Sequence, residues 1–128
     1  MTRAIADTSL FIAHESGRPL VRAHLPDEIA VSVVTIGELQ AGVLAAADVA
    51  TRARRLATLE RARSLDPLPV DEDVAAAWAR LRVELREAGR SMPANDSWIA
   101  ATAIAQGVPV VTQDDDYTDI PGLVALVV

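Results

Sequence analysis

The sequence contains no cysteine and no lysine. The first absence excludes disulfides, thiolate nucleophiles and cysteine-held zinc or iron–sulfur sites together. The second excludes a phosphate-loop lysine and a Schiff-base lysine, and leaves arginine to supply all 12 basic side chains. Only 2 histidines are present, His14 and His24, too few for a histidine metal cage. Aromatic residues make up 3% of the chain, and no apolar run approaches the ~18 residues that a membrane-spanning helix needs. The segment Met1-Thr2-Arg3-Ala4-Ile5-Ala6-Asp7 meets an acid too early for a secretory signal, so a cytoplasmic protein away from the membrane is expected. Chemistry in such a chain falls to carboxylates, hydroxyls and arginine.

What is present points to a folded chain. Apolar residues are 51% of 128, enough to bury one core and too short for two, so one domain over residues 1–128 is expected. The net charge of −6 opposes nucleic-acid binding, unless some of the acids hold a cation.

The pattern predicts alternating strands and helices. Arg3 to Ala6 reads as a strand ending at the turn residues Asp7-Thr8-Ser9, and residues 19–25 as a short helix. The β-branched run over 29–34 reads as a buried strand. A helix then opens at Thr35 and runs to about Ala47, and a second covers 48–64. Residues 65–70 form a proline-interrupted connector. Val74, Trp78, Leu81 and Leu85 recur at helical spacing, with Gly89 as the C-terminal cap. A further helix spans 93–106, and strands follow at 108–112 and 123–128. Nearly continuous apolar strands between helices predict an α/β fold, a mostly parallel sheet covered on both faces.

Acids fall where such a sheet gathers ligands, beyond the carboxyl ends of its strands. Asp7 follows the first strand, Asp114 to Asp116 follow the strand ending at Thr112, and Glu38 and Asp96 sit at helix starts. Each also has a structural explanation. Asp7-Thr8-Ser9 suits a turn, Thr35-x-x-Glu38 matches a capping box, Asn95-Asp96 suits an N-cap, and the Asp114–Asp116 run suits a solvated loop. Together they are harder to dismiss. Two carboxylates ~5 Å apart repel by roughly 3 kcal/mol at an effective dielectric near 20. A converged set therefore calls for shared protons or a cation, and hard oxygen donors suit Mg²⁺ or Mn²⁺.

The run Asp7-Thr8-Ser9, then Thr35-Ile36-Gly37-Glu38-Leu39-x-x-Gly42, then Asn95-Asp96-x-x-Ile99-Ala100-Ala101-Thr102-Ala103, then Val111-Thr112-x-Asp114-x-Asp116-Tyr117 resembles the PIN domain. It is most similar to the VapC toxins of bacterial toxin–antitoxin pairs. The resemblance spans nearly the whole chain and rests on four motifs in order. It implies a three-layer α/β sandwich and an acidic triad at Asp7, Glu38 and Asp96. A fourth acid falls on Asp116, before Tyr117, with Asp114 shortly after Thr112. It further implies a Mg²⁺-dependent endoribonuclease with Mn²⁺ as substitute, a homodimer, an RNA substrate and a co-encoded antitoxin.

The mechanism expected is in-line attack of activated water on an RNA phosphodiester, with Asp7 and Asp96 as principal ligands. Glu38 and Asp116 would complete or orient the shell, and Ser9 or Thr112 would hydrogen-bond the ligands. Arg52, Arg54, Arg55, Arg61 and Arg63 crowd one helix, and Arg80, Arg82, Arg86 and Arg90 lie along the next. They read first as solvated faces paired with nearby acids, and second as a track for the RNA backbone. Trp78 and Trp98 read as core residues. A haloacid-dehalogenase-type phosphatase is disfavoured, because Ser9 stands where its second Asp would be and lysine is absent. A non-catalytic RNA-binding or regulatory PIN scaffold is the remaining competitor, and the complete set of acids favours catalysis.

Overall fold

A computed structural model describes residues 2–128. Among them, strands β1 (Arg3–Ala6), β2 (Glu28–Ala30), β3 (Val110–Thr112) and β4 (Ala125–Val127) form one sheet in the order β2-β1-β3-β4. Every pairing is parallel, with Ile5 opposite Ala30 on one side and Val110 on the other. Helices α1 (Thr8–Glu15), α2 (Val33–Leu44), α3 (Val49–Arg63), α4 (Glu72–Glu87) and α5 (Ala94–Gln106) cover the sheet.

The period-2 alternation of a strand divides the core between two faces. Ala4, Ala6 and Val111 join Leu10, Phe11, Leu39, Val43 and Leu59 under α1, α2 and α3. Ile5 and Val110 turn the other way, onto Leu81, Leu85, Ile99 and Ala103 of α4 and α5. The result is the three-layer α/β arrangement, with both central strands buried on both faces.

Several elements depart from expectation for local reasons. Helix α1 follows Asp7 directly, where a turn was expected. Its buried residues Thr8, Leu10, Phe11 and Ala13 do not fall on a single stripe, so no amphipathic signal marks it. The helix expected over 19–25 is reduced to a 3₁₀ turn at Arg22–His24, in which no residue is buried. The strand expected over 29–34 stops at Ala30, because Ser32 caps α2 by accepting from the Val34 amide at 3.0 Å. That cap draws Val33 and Val34 into a helix despite their β-branching. The connector after α3 joins the segment that follows β2 through an isolated parallel bridge, Ser32 with Leu68. Helices α3, α4 and α5 fall where expected, and Gly89 and Gly107 take the left-handed conformation just past α4 and α5.

Candidate active site

From β1 the chain crosses to β2 on one side, while β3 lies on the other. The carboxyl ends of β1 and β3 therefore flank the point where strand order reverses, the place where open α/β sheets bind ligands. Asp7 stands at the end of β1 and Thr112 at the end of β3.

Asp7 is 2% exposed, and a carboxylate so buried needs donors. It occupies the N-cap position of α1, yet its side chain does not cap the helix. Its Oδ2 accepts from Ser9 Oγ at 2.7 Å and Thr112 Oγ1 at 2.9 Å, and its Oδ1 from Tyr117 Oη at 2.9 Å. The two hydroxyls are themselves aimed by backbone amides, Gln113 N to Ser9 Oγ (3.0 Å) and Asp114 N to Thr112 Oγ1 (2.9 Å). Both hydroxyls thus orient Asp7, as expected of Ser9 and Thr112.

Tyr117 also lies 3.2 Å from Asp96 Oδ1. Asp96 is in the first turn of α5, but the N-cap position belongs to Pro93. The capping explanation of Asp96 therefore fails. Burial, then hydrogen bonding with Asp116 and the charge of Asp7, pushes the Asp96 carboxyl up to about 7, against a downward pull from the Tyr117 hydroxyl. Asp114 is raised by desolvation of its carboxyl and by the charges of Asp7 and Asp116. Burial and the charges of Asp7 and Asp96 raise the Tyr117 phenol, so it stays a proton donor. The final loop thus brings the charges of Asp114 and Asp116 to bear on the Asp7–Asp96 pair around buried Tyr117.

Glu38 is placed separately. The capping box expected at Thr35 and Glu38 does not form: Ser32 caps the helix, and Thr35 is wholly buried one turn inside it. Glu38 Oε1 instead accepts from Thr8 Oγ1 at 2.6 Å. Thr8 spends its one proton there, so Thr35, 3.0 Å away, donates to Thr8. This relay ties α2 to the residue after Asp7. Glu38 also shares the lining of one cavity with Asn95, the neighbour of Asp96.

Tyr117 therefore joins Asp7 to Asp96, the loop around it brings the charges of Asp114 and Asp116 to bear on them, and Glu38 stands on its own support. Among the described residues, no group of 3 or more His, Asp or Glu side chains closes to the spacing that would hold an ion unaided. The donor set still fits a hydrated hard cation. Mg²⁺ keeps several waters and uses one or two carboxylates, and a positive charge would offset both the burial and the repulsion that raise Asp96 and Asp114.

The PIN domain family model matches residues 4–123. The chain belongs to the PIN-domain family. Within that family it is of the VapC type. It is 54% identical over 118 residues to Ribonuclease VapC5 of Mycobacterium tuberculosis, covering 92% of this chain and 87% of that relative. It is 50% identical over 119 residues to Ribonuclease VapC4 of the same organism, covering 93% and 92%. The crystal structure of a member of the VapBC family of toxin-antitoxin systems, VapBC-5 from Mycobacterium tuberculosis, superposes with a TM-score of 0.91 at 46% identity, covering 100% of both chains.

Two contributors to this PIN-domain site were not weighed as functional from sequence. Tyr117 served only as the aromatic marker after Asp116, although a buried phenol must find polar partners. Thr8 read as a turn residue, and nothing local to it signals a partner 30 positions away.

Proposed function

We propose that this chain is a metal-dependent endoribonuclease, the toxin of a toxin–antitoxin pair acting in the cytoplasm. The observation that carries the reading is the convergence of Asp7, Asp96, Asp114 and Asp116 around Tyr117 at the sheet's switch point, in a chain without cysteine or lysine. The VapC ribonucleases it resembles supply the reaction class.

Asp7 and Asp96 are the principal holders of Mg²⁺, for which Mn²⁺ substitutes. Glu38 and Asp116 complete or orient the shell, and Asp114 serves as a further ligand. When bound, the ion supplies a Lewis acid for the phosphate and lowers the pKa of water. The protein contributes position. Ser9, Thr112 and Tyr117 fix both oxygens of Asp7, and Thr8 fixes Glu38. Water as the nucleophile leaves a 5′-phosphate and a 3′-hydroxyl, and no histidine stands among these residues to drive a cyclising attack instead.

The same reading includes a homodimer and a small co-encoded antitoxin. Exposed apolar side chains such as Leu44 and Val49, 72% and 86% accessible, offer surface for either contact. An antitoxin arginine entering the acid cluster would replace the positive charge of the ion. No helix among the described residues is long and apolar enough to cross a membrane.

The test is expression of the chain without its partner, with sequencing of RNA 5′ ends. Growth arrest, discrete new 5′-phosphate ends and rescue by the neighbouring antitoxin gene are expected. Unaffected growth and unchanged RNA ends at high levels of folded protein would refute the proposal.

A further inference from the structure

Between α4 and the start of α5 lies a cavity of about 410 Å³ lined by Trp78, Arg82, Arg86, Arg90, Met92 and Ser97. Trp78 and Trp98 are not core residues as expected. They are half-buried and stack on each other, with ring centroids 4.3 Å apart and planes 1° from parallel. The Arg82 guanidinium lies over the Trp78 ring, 4.8 Å from its centroid. Trp78 Nε1 donates to Ser97 Oγ at 3.1 Å, which fixes the ring. Arg90 donates to the backbone carbonyls of Thr118 (3.1 Å) and Asp119.

The expected pairing of these arginines with nearby acids is missing. Among the described residues the ion pairs are Arg3 with Glu28 and Arg63 with Glu60, and neither Arg82 nor Arg86 has a carboxylate partner. Guanidinium groups gathered at one cavity without counter-charge form a site for an anion. A guanidinium held over an indole ring still has N–H donors for a phosphate and a planar surface on which a base can stack.

Two segments connect the cavity to the acid cluster along the chain. Ser97 follows Asp96, and the carbonyls that hold Arg90 follow Tyr117. We propose that this cavity is the subsite for the RNA nucleotide next to the scissile phosphate. Arg82 and Arg86 bind its phosphate, and the Arg82–Trp78–Trp98 stack receives its base. An acidic peptide would use the arginines but leave the aromatic stack without a role, so RNA fits the whole cavity better. The proposal rests on the ribonuclease reading and adds where the strand runs.

The experiment uses the full chain carrying Asp7→Asn, to suppress cleavage, and a uridylate decamer as probe, followed by tryptophan emission. Both tryptophans of the protein lie in the stack. Saturable change in emission is expected. Arg82→Ala with Arg86→Ala should weaken binding by about tenfold or more and flatten the salt dependence by about one phosphate contact. In the active background the same pair should raise KM for a cleaved RNA. Arg52→Ala with Arg54→Ala, an equal charge loss on α3, should do neither. Equal losses from both pairs, or RNA binding without change in emission, would overturn the subsite while the ribonuclease reading stands. Absence of both RNA binding and wild-type cleavage would overturn both. A polyglutamate peptide that alters emission where the decamer does not would assign the cavity to a protein partner and overturn the proposal.

Discussion

Tyr117 Oη lies 2.9 Å from Asp7 Oδ1, a bond between residues 110 positions apart that closes the end of the chain onto its first strand. A phenol has one proton, and Asp96 Oδ1 lies 3.2 Å from the same oxygen. The one proton favours the nearer oxygen of Asp7, and the longer contact from the same phenol to Asp96 Oδ1 pulls the Asp96 carboxyl down against its burial. Tyr117→Phe keeps the packing of a wholly buried ring and leaves Asp7 Oδ1 without that donor. It should cost about 1.5–3 kcal/mol of stability, the range for hydrogen bonds to charged groups. Urea denaturation checks this, and an unchanged midpoint would mean the phenol is only filler.

Asp7→Asn and Asp96→Asn each keep the size of the side chain and remove the charge. Each should slow cleavage by at least about 100-fold, roughly 2.7 kcal/mol of transition-state stabilisation. Folding should be little harmed, and metal-free Asp96→Asn should gain stability as repulsion falls. Pro93, not Asp96, stands at the N-cap of α5, so a loss of rate cannot be charged to a broken cap. Asp116→Asn should damage more than Asp114→Asn, because Asp116 directly precedes Tyr117, the residue that reaches both Asp7 and Asp96. Steady-state kinetics of the four variants decide it, and wild-type rates in Asp96→Asn would remove it from the reaction.

Glu38 is tied to Thr8, so the two should respond together. Thr8→Val deletes the donor at 2.6 Å with little change of shape, and Glu38→Gln deletes the charge. Both should slow cleavage, Glu38→Gln more, and their combination should cost less than the sum. Full additivity, measured in a double-mutant cycle, would show that Thr8 does not act through Glu38.

Asp96 also sets a pH dependence. Its carboxyl rises from 3.8 to about 7 on folding, so the folded protein holds an extra proton across that window. Stability of the metal-free protein should therefore fall as pH rises from about 4 through about 7, and Asp114 acts in the same direction. Asp96→Asn should flatten the curve. Metal affinity should run the opposite way, strengthening as the proton leaves. Thermal denaturation in EDTA from pH 4 to pH 8, flanking the window at roughly one-unit steps, tests the sign. Stability that rises over this range would contradict it.

The four acidic motifs were legible because each sits at a strand end or near a helix start, and the lack of cysteine and lysine narrowed the chemistry to carboxylates, hydroxyls and arginine. Parallel α/β layering was legible for a related reason. Two-sided burial leaves strands such as Val110–Thr112 continuously buried and largely apolar. The supports of the site were not legible. Thr8 to Glu38, Thr112 to Asp7 and Tyr117 to Asp7 join residues 30 to 110 positions apart, so local pattern holds no trace of them. Ser32 shows the other failure. A single serine ended a β-branched run and started α2, moving Thr35 from an expected cap into the core.

Cleavage of RNA by the purified chain with and without divalent metal tests the central claim most directly. With Mg²⁺ or Mn²⁺ the protein should cut a susceptible RNA, stop on addition of excess EDTA, and resume when metal is restored. Undiminished cutting in EDTA would contradict the assignment of Asp7, Asp96 and their neighbours as holders of a catalytic ion.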